Sequence, residues 1–153
     1  MKKLCLALAV LMLCFSCQDE LQDNLPTFQS IQDGSIFWKA TGYGYYSNAA
    51  DEIIVEGRGA QGVVQLIVPA LSVGTYALST TSIARATLQQ DGVFYSTVHN
   101  GVGSPAFLSD GEIKVESVSN NVMRGTFKFN AYDNTGQLTV NFIEGVFFNI
   151  PNN

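Results

Sequence analysis

The chain has 153 residues, with 8 basic and 13 acidic side chains and a formal net charge of −5. This length fits one domain. The basic residues are scattered along the chain, which argues against a nucleic-acid partner because phosphate backbones are bound by clustered Lys and Arg.

The N-terminal segment predicts a secretory signal. Lys2 and Lys3 form a positively charged start, and an apolar run over residues 4–15 follows. This run is too short to span a bilayer, which takes about 20 apolar residues. Ser16 is a small residue of the kind that a signal peptidase accepts beside its cleavage point. We therefore assign residues 1–16 to a signal peptide.

Cys17 is the predicted lipidation site. The segment Leu13–Cys17 resembles a lipobox, although Cys14 and Phe15 depart from the usual pattern. An ordinary secretory peptide with an incidental Cys17 and an uncleaved anchor are the alternatives, and the short apolar run argues against the anchor. All 3 cysteines lie before residue 18, so the mature domain contains neither a disulfide nor thiol chemistry.

Residues 17–27 are interpreted as the lipidated Cys and an acidic tether. The segment from Gln18 to Thr27 is polar and carries three carboxylates. Ten extended residues reach at most about 35 Å, which is enough to hold a domain clear of lipid headgroups. Residues 28–153 then form the single folded domain.

That domain has a β pattern throughout. Short runs rich in Val, Ile, Phe, Tyr and Thr alternate with Gly, Asn and Asp. The predicted strands are 28–32, 35–41, 52–57, 62–69, 74–79, 84–90, 93–98, 111–119, 122–132 and 137–149. About ten short strands with one apolar face predict an all-β fold, either an antiparallel β-sandwich or a partly closed β-barrel.

The C-terminal third predicts a three-strand meander. Asp91-Gly92 and Asn120-Asn121 fit tight hairpin turns that need positive φ, and Asp133–Gly136 fits a turn closed by a left-handed glycine. In the last strand Leu138, Val140 and Phe142 alternate with polar residues and are expected to face the core.

Gly145 interrupts this alternation and predicts a β-bulge or bend. After it Val146, Phe148 and Ile150 are expected to resume the inward face, which leaves Phe147 outward.

Catalytic motifs are weak. His99 is the single histidine and lies in a predicted turn, so neither a Ser-His-Asp triad nor a zinc site is expected. Glu144, beside Gly145, is the carboxylate least easily assigned to the surface, but a glycosidase needs a second acid across a cleft. We expect no catalytic residue, no metal and no cofactor, and therefore no enzyme.

The most specific feature is a segment in which three tyrosines lie among glycines and small polar residues, at Tyr43, Tyr45 and Tyr46. Tyrosine offers a large amphipathic contact area at low entropic cost, so this segment could form a binding rim. The alternative is a strand whose Tyr43 and Tyr45 cap the core near Trp38, which is itself expected to be buried.

The order of several motifs resembles a family of small Bacteroidota lipoproteins of unknown function. The resemblance covers most of residues 28–150, and its motifs are Phe-Trp-Lys-Ala at 37–40, Gly-Thr-Tyr-Ala-Leu at 74–78, Gly-Glu-Ile-Lys-Val at 111–115, Arg-Gly-Thr-Phe-Lys-Phe-Asn-Ala at 124–131 and Glu-Gly-Val-Phe-Phe-Asn-Ile at 144–150. It implies an all-β domain at the cell envelope, with no known activity. The acidic residues after Cys17 also resemble an export signal to the outer face of the outer membrane, although an ordinary polar tether explains them equally.

The sequence thus predicts an exported lipoprotein attached to the outer membrane through Cys17, possessing a non-catalytic domain that binds a protein or glycan. The alternative is a structural envelope lipoprotein without a specific ligand, and a small hydrolase is the third hypothesis.

Overall fold

Eleven β-strands form the regular structure of residues 25–153, the part of the chain that the computed structural model describes. In chain order they are β1 Thr27–Gln32, β2 Ile36–Lys39, β3 Gly42–Ser47, β4 Ile53–Gly59, β5 Gly62–Val68, β6 Gly74–Leu78, β7 Arg85–Gln90, β8 Val93–Ser96, β9 Asp110–Ser119, β10 Val122–Asp133 and β11 Thr139–Pro151. This confirms the all-β class. The signal peptide, Cys17 and the tether before residue 25 lie outside the described residues.

The strands form one curled antiparallel sheet with the order β2-β1-β11-β10-β8-β7-β5-β4-β3. β9 shares the edge of β10 with β8, and β6 pairs with β9. The two ends of the sheet approach one another, because Ala40 N donates to Phe28 O at 2.9 Å and Thr41 N to Arg58 O at 2.8 Å. Asn153 N also donates to Tyr45 O at 3.0 Å. The sheet is therefore a partly closed barrel.

Aromatic side chains fill the interior of this curled sheet. The rings of Phe129 and Phe142 stack with centroids 4.8 Å apart, and Phe28 meets Trp38 edge-on at 5.6 Å. Phe28, Trp38 and Phe142 are all 0 % exposed, which confirms that Trp38 belongs to the core. Since aromatic side chains fill the centre, the outer face of the sheet is the surface that the described residues offer to a ligand.

The predicted hairpin turns are confirmed. Asp91 and Gly92 have φ of 50° and 80°, as a type I′ turn requires, and the turn at 120–121 also has two positive φ angles. Gly136, at φ 70°, donates its N–H to Asp133 O at 3.1 Å. The strands β9, β10 and β11 pair in sequence as the predicted meander.

The segment 42–47, missing from the predicted strands, forms β3 and pairs with β4 in register from Gly42↔Arg58 to Ser47↔Ile53. Its glycines and serine lower the local β propensity, so the segment adopts a strand conformation because it pairs with β4. This adds the eleventh strand.

The predicted phase of β11 is wrong at residues 146–148, whereas Ile150 is buried as predicted. Phe147 is 0 % exposed rather than outward, and Val146 and Phe148 are only half-buried. The bulge consists of Ile143 and Glu144, because Phe129 pairs with Phe142 whereas Phe127 pairs with Gly145.

One extra residue before position 145 shifts the inward face to Gly145 and Phe147, and a second register shift returns it to Ile150. Leu138, also expected inside, precedes β11 and is 48 % exposed.

Candidate functional site

The three tyrosines of the predicted rim do not share one surface. Tyr45 is 2 % exposed and belongs to the core, and Tyr43 packs partly buried against that core. Tyr46 points to the outer face of β3. The alternative of a strand that caps the core therefore describes Tyr43 and Tyr45, and Tyr45 offers no surface to a ligand.

Tyr46 joins a polar network that braces three strands. Glu56 on β4 accepts hydrogen bonds from Gln65 Nε2 at 2.7 Å, from the Tyr46 hydroxyl at 3.3 Å and from Arg58 Nε. Burial raises the pKa of Glu56, but the hydrogen bonds from Gln65 and Arg58 outweigh it and hold this pKa below its ordinary value. Burial and then Glu56 raise the pKa of Tyr46. Tyr46, Glu56 and Gln65 lie on β3, β4 and β5, so these hydrogen bonds connect the three strands.

His99 lies half-buried in a bend after β8. Among residues 25–153 no group of three His, Cys, Asp or Glu side chains is arranged to hold a metal ion. The same part of the chain contains no helix long and apolar enough to cross a bilayer.

The bulge at Glu144 is the most unusual backbone feature. Its φ is 53°, and every other described residue with positive φ is Asp, Asn or Gly. Asp and Asn tolerate the left-handed region through local hydrogen bonds, whereas for Glu it costs about 1–2 kcal/mol. Strain of this kind concentrates at binding sites, where a side chain must be aimed in a particular direction.

Two contacts fix the bulge from the inside. The Ser30 hydroxyl on β1, which is 2 % exposed, donates to Ile143 O at 2.7 Å. A Cβ at Gly145 would lie 2.5 Å from Phe127 O and 2.7 Å from the Phe127 ring, so only glycine fits there. As a result Ile143 and Glu144, though consecutive, are both exposed.

The bulge lies at the centre of a row of side chains on the outer face, here called the outer row. The pairs Ile31↔Phe37 and Ile31↔Ile143 define its apolar half. Lys128 of β10 lies opposite the bulge, and the pair Lys128↔Glu112 completes its charged half. The outer row consists of Phe37, Ile31, Ile143, Glu144, Lys128 and Glu112.

The charged half borders a shallow depression of about 270 Å³. Its lining residues are Glu112, Thr126, Phe127, Lys128, Glu144, Gly145 and Val146. Lys128 Nζ lies 3.2 Å from Glu112 Oε1, and both side chains remain largely exposed. The depression thus presents two carboxylates, one ammonium group and one hydroxyl to solvent.

The match to a known protein family covers the whole curled sheet. A family model described as a domain of unknown function, DUF6252, matches residues 24–151. The chain belongs to the DUF6252 family. This agrees with the predicted resemblance to an uncharacterised family. No curated protein and no solved structure matches this DUF6252 chain.

Sequence reasoning identified Glu144 as unusual but missed its neighbours in the DUF6252 domain. Phe37 could have been found, because strand alternation with the buried Trp38 places Phe37 outside. Lys128 and Ser30 lie beside the bulge because β10 and β1 pair with β11. No local sequence pattern predicts this pairing.

Proposed function

We propose that this DUF6252 protein is an exported lipoprotein of the Bacteroidota type, attached to the outer membrane through lipid on Cys17. Its β domain binds a protein or glycan ligand without transforming it. In support, residues 1–16 have the features of a signal peptide, and the first 23 residues precede the matched family region. The polar residues between Cys17 and β1 then serve as the tether.

The outer row is the observation that favours a binding role. It combines a strained Glu144, a Phe37 side chain that is 55 % exposed and an adjacent depression, on a rigid sheet. A domain that served only as a spacer would gain nothing from a left-handed glutamate.

Binding fits the two carboxylates of the outer row better than catalysis. A glycosidase general acid is a carboxyl group kept protonated by an apolar environment. Glu144 is exposed, and Glu112 has the Lys128 ammonium group at 3.2 Å. Neither carboxyl group therefore lies in the apolar environment that a general acid needs, and both are free to accept hydrogen bonds from a ligand.

The anchoring is tested by treating intact cells with protease and comparing the wild-type protein with Cys17→Ala. The proposal predicts that the wild-type protein is in the membrane fraction and that the variant is released from it. Cleavage of the wild-type protein on whole cells indicates display at the surface, and protection until the outer membrane is opened indicates a periplasmic orientation. If Cys17→Ala stays in the membrane fraction, the lipoprotein assignment is wrong.

A further inference from the structure

We propose that the outer row binds a neutral oligosaccharide, with one sugar ring against Phe37 and the hydroxyl groups of further sugars on Glu144, Lys128 and Glu112. This inference rests on the proposed binding function and specifies the class of ligand.

Phe37 provides the apolar contact. Its ring is 55 % exposed and lies next to Ile31, which pairs in turn with Ile143. Phe37 lies on a paired strand, so its backbone is fixed before binding, and a Phe side chain has few rotatable bonds to order on contact. The carbon-bound hydrogens on one face of a pyranose ring suit such a flat apolar surface.

The charged half provides the polar contacts. Sugar hydroxyl groups donate and accept hydrogen bonds, and this half offers carboxylate acceptors at Glu144 and Glu112 with an ammonium donor at Lys128. Hydrogen bonds to charged partners are stronger than hydrogen bonds between neutral groups. The bulge turns Glu144 out of the regular β geometry, so its carboxylate is directed from the sheet into the depression that it lines.

The dimensions fit a short chain of sugars. Neighbouring strands lie about 4.8 Å apart, so Phe37 on β2 lies about 10 Å from the bulge on β11 and about 19 Å from Glu112 on β9. The depression of about 270 Å³ is smaller than the roughly 300–1,000 Å³ of sites that enclose a whole ligand. An extended oligosaccharide could contact the whole length of the row, whereas the shallow depression is too small to enclose a compact ligand.

The charges select against anionic sugars. The outer row has two carboxylates and one ammonium group, and the whole chain has 13 acidic and 8 basic residues. A polyuronate would be repelled by both the row and the surrounding field, whereas a neutral glycan would not.

A protein partner would be expected at a different surface. Residues 97–109 form a loop without a charged residue, and Phe107 and Leu108 on it are 65 % and 69 % exposed. The loop is held by Gly101 N to Phe107 O at 2.7 Å and Val102 N to Gly136 O at 2.9 Å. It lacks the carboxylates and the ammonium group that the outer row offers to sugar hydroxyl groups.

Calorimetric titration of the full chain in mild detergent tests the inference, with maltohexaose, cellohexaose, mannohexaose and xylohexaose as neutral probes and hexagalacturonate as the anionic one. We expect at least one neutral probe to bind, and hexagalacturonate to bind at least tenfold more weakly. Phe37→Ala should weaken neutral binding about 3- to 10-fold, the range for one aromatic contact. Glu144→Gly should weaken it without loss of folding.

Phe94→Ala is the matched control, because Phe94 on β8 is 47 % exposed and lies outside the outer row. It should bind as the wild-type protein does. Failure of all neutral probes, equal binding of hexagalacturonate, or equal effects of Phe37→Ala and Phe94→Ala would overturn the inference.

A separate readout distinguishes this failure from failure of the proposed function. A photo-crosslinking residue is placed at Phe107 or at Phe37 in intact cells. If no sugar binds but position 107 captures one defined protein, the glycan inference is wrong and a binding role remains. If no sugar binds and neither position gives an adduct, the binding function itself is wrong and the structural alternative replaces it.

Discussion

The hydroxyl of Ser30 donates a 2.7 Å hydrogen bond to the carbonyl oxygen of Ile143, a residue 113 positions further along the chain. The bulge at 143–144 interrupts the pairing between β1 and β11, so this hydroxyl replaces a ladder hydrogen bond. Ser30 is a positioning residue, because it holds the backbone that presents Glu144 without itself reaching the outer face.

Ser30→Ala should destabilise the domain by about 1–3 kcal/mol, since it leaves the partly buried Ile143 carbonyl without its partner. Urea unfolding followed by tryptophan fluorescence measures this, because Trp38 is the sole tryptophan and lies in the core. Ser35→Ala, in an exposed turn, is the control and should change stability by less than about 0.5 kcal/mol. Equal effects of the two substitutions would contradict the role of Ser30.

Glu144→Gly should leave stability unchanged or raise it by up to about 1.5 kcal/mol. Glycine relieves the left-handed strain of about 1–2 kcal/mol and loses about 0.5–1 kcal/mol through the greater freedom of the unfolded chain. Glu116→Gly, on β9 with an ordinary φ, should instead destabilise. Thermal melting of the two variants gives the comparison, and a clear loss of stability in Glu144→Gly would show that the bulge is not strained.

Tyr45→Ala and Tyr46→Ala should differ strongly. Tyr45 is 2 % exposed, so its removal leaves a cavity that costs about 3–5 kcal/mol. Tyr46 is half-exposed and loses one hydrogen bond to Glu56, which costs about 1 kcal/mol. Denaturant unfolding distinguishes them. Similar small losses for both would restore the hypothesis of a tyrosine rim.

The stability of the domain should fall in acid partly through Glu52. Arg85 donates to its two carboxylate oxygens at 2.7 and 2.9 Å, and with Asn48 it lowers the Glu52 pKa from 4.5 to about 2. A lowered folded-state pKa stabilises the fold fully above pH 4.5, and the gain disappears as the pH falls toward about 2.

Glu52→Gln should therefore flatten the decline of Tm between about pH 5 and pH 2. Glu116→Gln is the control, because its single contact with Lys114 at 3.0 Å is exposed and should affect the slope less. An unchanged slope in Glu52→Gln would show that the Arg85 pair does not stabilise the fold.

Local chemistry explains which features the sequence predicted correctly. The turns at Asp91-Gly92 and Asn120-Asn121 depend on residues that adopt positive φ, and those preferences act within two positions. The meander then follows, because short turns force antiparallel neighbours. The burial of Trp38 follows from its size and its place in an alternating strand.

Distant contacts explain what the sequence did not predict. The bulge in β11 is fixed at Ile143 by Ser30 and at Gly145 by the Phe127 ring, and neither contact leaves a local signature. Tyr45 lies in a glycine-containing segment whose strand conformation depends on pairing with β4. The outer row likewise combines five strands, so only the assembled sheet brings Phe37 and Glu112 onto one face.

Amide chemical-shift mapping locates the ligand on the surface of the domain. The full chain, labelled with ¹⁵N in mild detergent, is titrated with the neutral hexasaccharide that binds best. Oligosaccharide binding along the outer row should shift the amide signals of Ile31, Phe37, Lys128 and residues 143–145, with little change in residues 97–109. Shifts concentrated in the 97–109 loop, or an absence of shifts along the outer row, would contradict it.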